Sequence, residues 1–127
     1  FAAWLMRLYD KWNENSGGLL TVQDNSISAQ VKLYLKEYFK DNIHVEDIAN
    51  ALNISYRSLA RRFKNETGIT ISDQLTKMRI DAAKQLLKDS NMPLYDIAAA
   101  VGYENEFYFS KMFKKAEGIP PSKYRTN

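Results

Sequence analysis

The stretch that decides the fold is VEDIANALNIS, residues 45–55, which returns in altered form as LYDIAAAVGYEN at residues 94–105. The Asp-Ile-Ala that the two stretches share recurs after 49 residues. Beyond the turn that follows, the offset becomes 50, so that Gly68 corresponds to Gly118. A short helix, a tight turn and a longer helix closed by Gly form a helix-turn-helix unit. The repeat therefore predicts two such units in one chain.

The rest of the chain also shows a helical pattern. Apolar residues recur at helical spacing, and no sustained alternation typical of a strand is present. The predicted fold class is all-α, with two helix-turn-helix lobes joined by a long central helix. We expect about seven helices after residue 25 and one before it: 1–14, one beginning at Ile27, 45–52, 56–67, 71–89, 94–101, 105–117, and a last turn at 122–124.

The long helix at 71–89 has a length suited to DNA. About 19 residues at ~1.5 Å rise give roughly 28 Å, and helix-turn-helix units on one face of B-DNA lie about 34 Å apart. The helix carries two apolar stripes, one of them at Ile80, Ala83 and Leu87. A helix that is apolar on two sides is predicted to lie between the lobes. Arg79, on the same helix, is expected to form an interlobe salt bridge in preference to a DNA contact.

Composition excludes several classes of protein. The chain has no Cys and one His among its 127 residues, which excludes thiolate zinc sites, cysteine nucleophiles and poly-His metal sites. No apolar run approaches the ~20 residues that span a bilayer. No enzymatic activity, cofactor, metal or membrane association is therefore expected. Residues 26–127 contain 16 Lys and Arg against 12 Asp and Glu, a net charge of +4, which is compatible with a polyanionic partner.

The first long helix of the repeat has one basic face. Residues 56–67 carry four basic side chains and one acidic side chain, a net charge of +3. With Leu59 and Phe63 turned inward, the opposite side is the first recognition face, which consists of Arg57, Ala60, Arg61 and Lys64. Arg can bind guanine through two hydrogen bonds in the major groove, and a small residue allows close approach.

The corresponding helix of the second copy has a less basic and chemically more varied face. Phe109 and Phe113 are predicted to point inward. The second recognition face then consists of Glu106, Phe107, Ser110 and Lys111. These side chains suit the reading of bases better than electrostatic clamping of the backbone. Near the helix ends, Arg62, Lys64, Lys114 and Lys115 are candidate phosphate contacts, although cations there also complement the helix dipole.

These motifs together resemble the AraC/XylS family of bacterial transcription regulators over roughly residues 27–126. The resemblance rests on the two repeat copies, on Arg79-Ile80, and above all on the C-terminal run Gly118-Ile119-Pro120-Pro121 leading to Tyr124-Arg125. It implies two helix-turn-helix lobes that bind consecutive major grooves. Carried over residue by residue, it places base contacts at the following positions: Arg57, Ala60, Arg61, Glu106, Phe107, Ser110 and Lys111.

The resemblance also implies the domain organisation and partners. Residues 1–25, a helix and linker, are expected to be the tail of an upstream effector-sensing or dimerisation domain, or else an extra helix that packs on lobe one. Residues 26–127 are the expected DNA-binding domain, with lobe one at 26–70, the linker helix at 71–89 and lobe two at 90–127.

The expected function is sequence-specific binding of double-stranded DNA in the bacterial cytoplasm, at the nucleoid. It would regulate transcription as an activator that recruits RNA polymerase. The alternative is an all-α protein-interaction module without affinity for DNA.

Overall fold

The computed structural model describes residues 26–127, and this part of the chain is helical, with no strand. The predicted all-α class is confirmed, whereas the helix predicted at 1–14 lies outside the described residues. Residues 26–127 contain seven helices: α1 (Ile27–Tyr38), α2 (Val45–Ala51), α3 (Tyr56–Thr67), α4 (Ile71–Asp89), α5 (Leu94–Ala100), α6 (Glu106–Glu117) and α7 (Pro121–Thr126). The predicted bounds differ by one residue at three helix ends, and the last turn is a six-residue helix.

The repeat seen in the sequence is also a repeat of hydrogen bonds. At the end of α2 the N–H of Ile54 donates to the carbonyl of Ala49 at 3.0 Å, and at the end of α5 the N–H of Tyr103 donates to Ala98 at 2.8 Å. These bonds enclose Asn53 (φ 57°) and Gly102 (φ 104°), which both adopt the left-handed conformation. Both short helices therefore end in a Schellman turn, which fixes the direction in which the following helix leaves.

The second copy has one extra residue, and the structure shows where it is placed. In the first copy, Ser55 follows Ile54 directly and is the N-cap of α3. In the second copy, Glu104 intervenes between Tyr103 and Asn105, the N-cap of α6. The insertion lies outside both the Schellman turn and the helix, which explains why neither element is disturbed. The predicted closing glycines, Gly68 and Gly118, have φ values of 84° and 86°.

The described residues form two compact units. The first contains residues 26–38 and 43–73, and the second contains residues 39–42 and 74–127. In the first unit α1 and α2 both pack against α3, and the side chains of Val31, Leu35, Leu59 and Phe63 are fully buried. These side chains form the apolar interior that supports the exposed face of α3.

One tertiary contact of the first unit lies at the N-terminus of α1. The backbone N–H of Ser28 donates to the carboxylate of Glu66, near the end of α3, at 2.9 Å. This bond holds the pKa of the Glu66 carboxyl below its usual value, and Arg62 lowers that pKa further. α1 has no acidic residue in its own first turn, so the negative charge that favours a helix N-terminus comes from α3.

The second unit is built on α4. Ile80, Ala83 and Leu87 are buried together with Ile97, Val101, Phe109 and Phe113, and the neighbouring side chains Ala82 and Leu86 pack against the same cluster. α5 packs on α6 and α6 packs on α7. The stripe Ile80, Ala83 and Leu87 thus forms one wall of this core, against which the inner side of α6 is placed.

The environment of Arg79 differs from the expected salt bridge. Its Nε donates to the carbonyl of Phe39 at 2.8 Å and its Nη2 donates to that of Asp41 at 2.9 Å. Its guanidinium also lies 5.4 Å from the centre of the Tyr103 ring. The partners are backbone carbonyls, because residues 39–42 pass beside α4 within the second unit. Arg79 therefore anchors a segment of main chain through hydrogen bonds.

Candidate DNA-binding surface

α3 presents the first recognition face as the sequence predicts. The hydroxyl of Ser55 accepts from the backbone N–H of Ser58 at 3.1 Å and begins the helix. Leu59 and Phe63 are buried, which fixes the rotation of the helix about its axis. The predicted face points away from the core: three of its side chains are exposed and the Ala is half-buried, namely Arg57, Arg61, Lys64 and Ala60.

A cleft of about 470 Å³ lies beside this face, and sequence reasoning missed it. Ala60, Arg61 and Lys64 line one side, and residues 70–72 at the start of α4 line another. Tyr56, half exposed, completes part of the wall. The lining comes from three separate stretches of chain, and no pattern within any one of them indicates the concavity. Two basic side chains make the cleft suitable for anionic groups.

α6 presents the second recognition face. The side-chain oxygen of Asn105 accepts from the N–H of Phe107 at 2.7 Å and from that of Tyr108 at 3.0 Å. Phe109 and Phe113 are fully buried and their rings pack edge to face, 5.9 Å apart between centres. The predicted face is directed outward, with two exposed and two half-buried side chains: Phe107, Lys111, Glu106 and Ser110.

The four predicted phosphate contacts are all exposed. Lys64 and Lys114 occupy equivalent places in the repeat, since the carbonyl of each accepts the N–H of a closing glycine at 2.8 Å. Lys115 lies beside Lys114 in the last turn of α6. Arg62 lies on the same helix as Glu66 and helps to lower the pKa of the Glu66 carboxyl. The structure thus leaves the lysines accessible and places Arg62 near an opposite charge on its own helix.

The charges on the two recognition faces are available to an outside partner. Within residues 26–127, none of Arg57, Arg61 and Lys111 takes part in a salt bridge. An exposed cation without an internal partner keeps its full attraction for a polyanion. The arrangement can therefore offer two outward helical faces, one basic and one mixed, each on a rigid helix.

Other kinds of site are not seen in this part of the chain. No group of His, Asp and Glu residues within 26–127 is placed to hold a metal ion. None of the helices described is long and apolar enough to span a membrane.

Comparison with known proteins identifies helix-turn-helix transcription regulators as relatives of this chain. A family model described as a helix-turn-helix domain matches residues 48–127. The raffinose operon transcriptional regulatory protein RafR of Pediococcus pentosaceus is 39% identical over 92 residues, which cover 72% of this chain and 33% of that protein. The chain spans about a third of the length of this and other curated relatives that it matches.

Two solved structures are similar over most of the described residues. The C-terminal domain of AraT, a response regulator from Geobacillus stearothermophilus, is 38% identical with a TM-score of 0.77, covering 79% of this chain and 84% of that one. The DNA-binding domain of AdpA, solved in complex with a target DNA, is 25% identical with a TM-score of 0.75, covering 80% and 92%.

Proposed function

This chain belongs to the AraC-type helix-turn-helix family of DNA-binding transcription regulators, and from that membership we propose that it binds double-stranded DNA of defined sequence through both of its units. The observation that carries the proposal is the repetition of one arrangement, a Schellman turn followed by a helix. Each Schellman turn leads into a helix whose inner side is buried and whose outer side is free. A helix presented in this way can enter the major groove.

In this proposal the two faces act differently. Arg57 and Arg61 contact base edges in one segment of groove, while Ala60 permits close approach of the helix. Glu106, Phe107, Ser110 and Lys111 contact bases in the next segment. Arg62, Lys64, Lys114 and Lys115 bind phosphates, which supply affinity without sequence preference. We propose a binding site with two blocks about one helical turn apart.

The biological role follows from this binding. We propose that the chain regulates bacterial transcription in the cytoplasm, at the nucleoid, as an activator that positions RNA polymerase. An effector-binding or dimerisation domain elsewhere in the full protein would control it. We propose no catalytic role, since the family is one of DNA-binding regulators.

The experiment that tests the proposal is selection of binding sites from a randomised duplex pool. The selected duplex is then titrated by fluorescence anisotropy at several salt concentrations. We expect two enriched blocks about one helical turn apart, and an association constant that falls linearly with salt on logarithmic axes. Enrichment of one block only would assign the other unit to anchoring. Absence of enrichment together with absence of salt-dependent binding would instead favour a protein-interaction module.

A further inference from the structure

Phe107 is unusual among the exposed residues of the second unit. The residue is 81% exposed, more than the exposed tyrosines of the same unit, Tyr95 (61%) and Tyr108 (53%). A tyrosine can direct its hydroxyl to water, but Phe has no polar group to satisfy there. A fully apolar ring at this position therefore has no internal explanation in the packing of its own unit.

The backbone at Phe107 is held firmly although its side chain is free. The N–H of Phe107 donates to the Asn105 side chain at 2.7 Å, and Asn105 is the N-cap of α6. Phe107 is the second residue of that helix. Residues near the N-terminus of a recognition helix are those that contact base edges. A partner that meets this end of α6 thus meets an exposed aromatic side chain on a fixed backbone.

The neighbouring aromatic residues contact another ring of the unit, and Phe107 does not. Tyr108 packs against Tyr103 with 5.8 Å between ring centres, and Phe109 packs against the same ring at 5.6 Å. Within residues 26–127 the ring of Phe107 takes part in no such contact. Ser110 and Lys111, one turn later on the same face, are polar. The second recognition face therefore has a single apolar contact point among polar ones.

We propose that Phe107 recognises the 5-methyl group of one thymine in the block of DNA bound by α6. The inference rests on the proposed function. The edges of the base pairs in the major groove present hydrogen-bond donors, acceptors and one apolar group, the thymine methyl. A side chain without a donor or acceptor gains most by covering that methyl, because both surfaces leave water together. The second unit thereby distinguishes thymine from cytosine at one position.

The test removes the methyl and nothing else. Each thymine of the selected duplex is replaced singly by deoxyuridine, and the dissociation constant is measured by anisotropy for the wild-type chain and for Phe107→Ala. At one position we expect the wild type to lose about fourfold in affinity, the effect of one methyl group taken from contact. Phe107→Ala should bind both duplexes with equal affinity at that position.

A matched variant guards against indirect effects. Tyr95→Ala removes another exposed aromatic ring of the same unit, on α5, and should retain the fourfold loss. Circular dichroism checks that Phe107→Ala keeps its helices, as expected for an exposed position. The assignment to Phe107 would be overturned if no deoxyuridine replacement weakened wild-type binding in a way that Phe107→Ala abolishes. It would also be overturned if the block of DNA bound by α6 contained no thymine. Absence of any selected sequence would contradict the proposed DNA binding itself.

Discussion

Gly102 is the residue with the least freedom to change. It adopts φ +104°, and a Cβ built there would lie 2.8 Å from the carbonyl oxygen of Phe39 and 2.9 Å from Nε of Arg79. That carbonyl is the acceptor of the Arg79 hydrogen bond. A methyl group would therefore meet both partners of one bond, in addition to the cost of a left-handed conformation.

We expect Gly102→Ala to lower the free energy of unfolding by about 2–4 kcal/mol, which combines conformational strain with overpacking. Gly118→Ala is the matched control: its φ is +86° but nothing lies within 4 Å of the added Cβ. It should cost only about 1 kcal/mol. Urea denaturation followed by circular dichroism measures both. Equal losses would show that the close approach of the main chain adds nothing.

Arg61 belongs to the first recognition face, and its effect should depend on sequence. Arg61→Ala is expected to cost about 1–3 kcal/mol of binding free energy at the selected site and to relax the preference at one base pair. The control is Arg62→Ala, the next residue, for which we expect an even loss across sequences. Anisotropy titrations against single-base variants of the site give both results. A uniform loss for Arg61→Ala would reassign that residue to the phosphate backbone.

Individual residues divide into those that sequence patterns reveal and those that they do not. Asn53 and Gly102 adopt the left-handed conformation, which both residue types tolerate, so a local pattern can indicate such a turn. Arg79 was expected to pair with an acidic residue, and this was wrong, because its acceptors are backbone carbonyls 38 and 40 residues away in the chain. A carbonyl leaves no mark in an amino-acid sequence, so no pattern could indicate that partner.

Among the elements, α1 receives at its N-terminus a charge supplied by α3. Glu66 accepts the N–H of Ser28, and this bond holds its pKa below the usual value. A carboxyl whose folded-state pKa is lowered stabilises the fold above its unfolded pKa. That stabilisation is lost as pH falls through the folded pKa. Sequence reasoning did not find this contact, since a Glu near the end of one helix indicates nothing about the start of another.

We therefore expect Glu66→Gln to flatten the acid side of the stability profile. Between about pH 5 and pH 3 the urea midpoint of the wild type should fall more steeply than that of the variant. At pH 7 the variant should be less stable, because a neutral amide interacts less favourably with a helix N-terminus. Urea denaturation at intervals of pH supplies the comparison. Parallel profiles for the two proteins would contradict a role for this carboxylate in beginning α1.

The first and last residues of the helices were the features most predictable from the sequence. Apolar spacing and closing glycines are local signals, and the predicted bounds of α3 and α4 agree with the structure. The one-residue differences in α2, α5 and α6 arise where the helix passes into a cap. By contrast, the cleft beside the first recognition face required three segments to meet, and such proximity is a property of the folded chain.

At the scale of the whole molecule, the balance of charge governs affinity for DNA. Residues 26–127 carry a net charge of +4, and binding that neutralises phosphates releases counterions.

Lys114→Ala is expected to weaken binding to all duplexes alike and to reduce the slope of log K against log salt by about 1. Titrations at several salt concentrations measure that slope. Lys32→Ala, an exposed lysine of α1, is the control and should leave the slope unchanged. A loss confined to certain sequences would make Lys114 a base contact.

The division of the chain into units was the least predictable feature at this scale. Residues 39–42, between α1 and α2, belong with residues 74–127 and not with their neighbours in sequence. A boundary drawn along the sequence assumes that each unit is continuous. Here the chain enters the second unit briefly, returns to the first, and enters the second again through α4.

That path has a consequence for gene rearrangement. A recombination junction within α4 would transfer residues 74–127 to a new host protein without residues 39–42. Arg79 would then arrive without the two carbonyls of Phe39 and Asp41 that its guanidinium holds, and a half-buried cation would lose its acceptors. We therefore expect the second helix-turn-helix to keep its stability in a new host protein only when residues 39–42 are transferred with it, which requires transfer of both motifs.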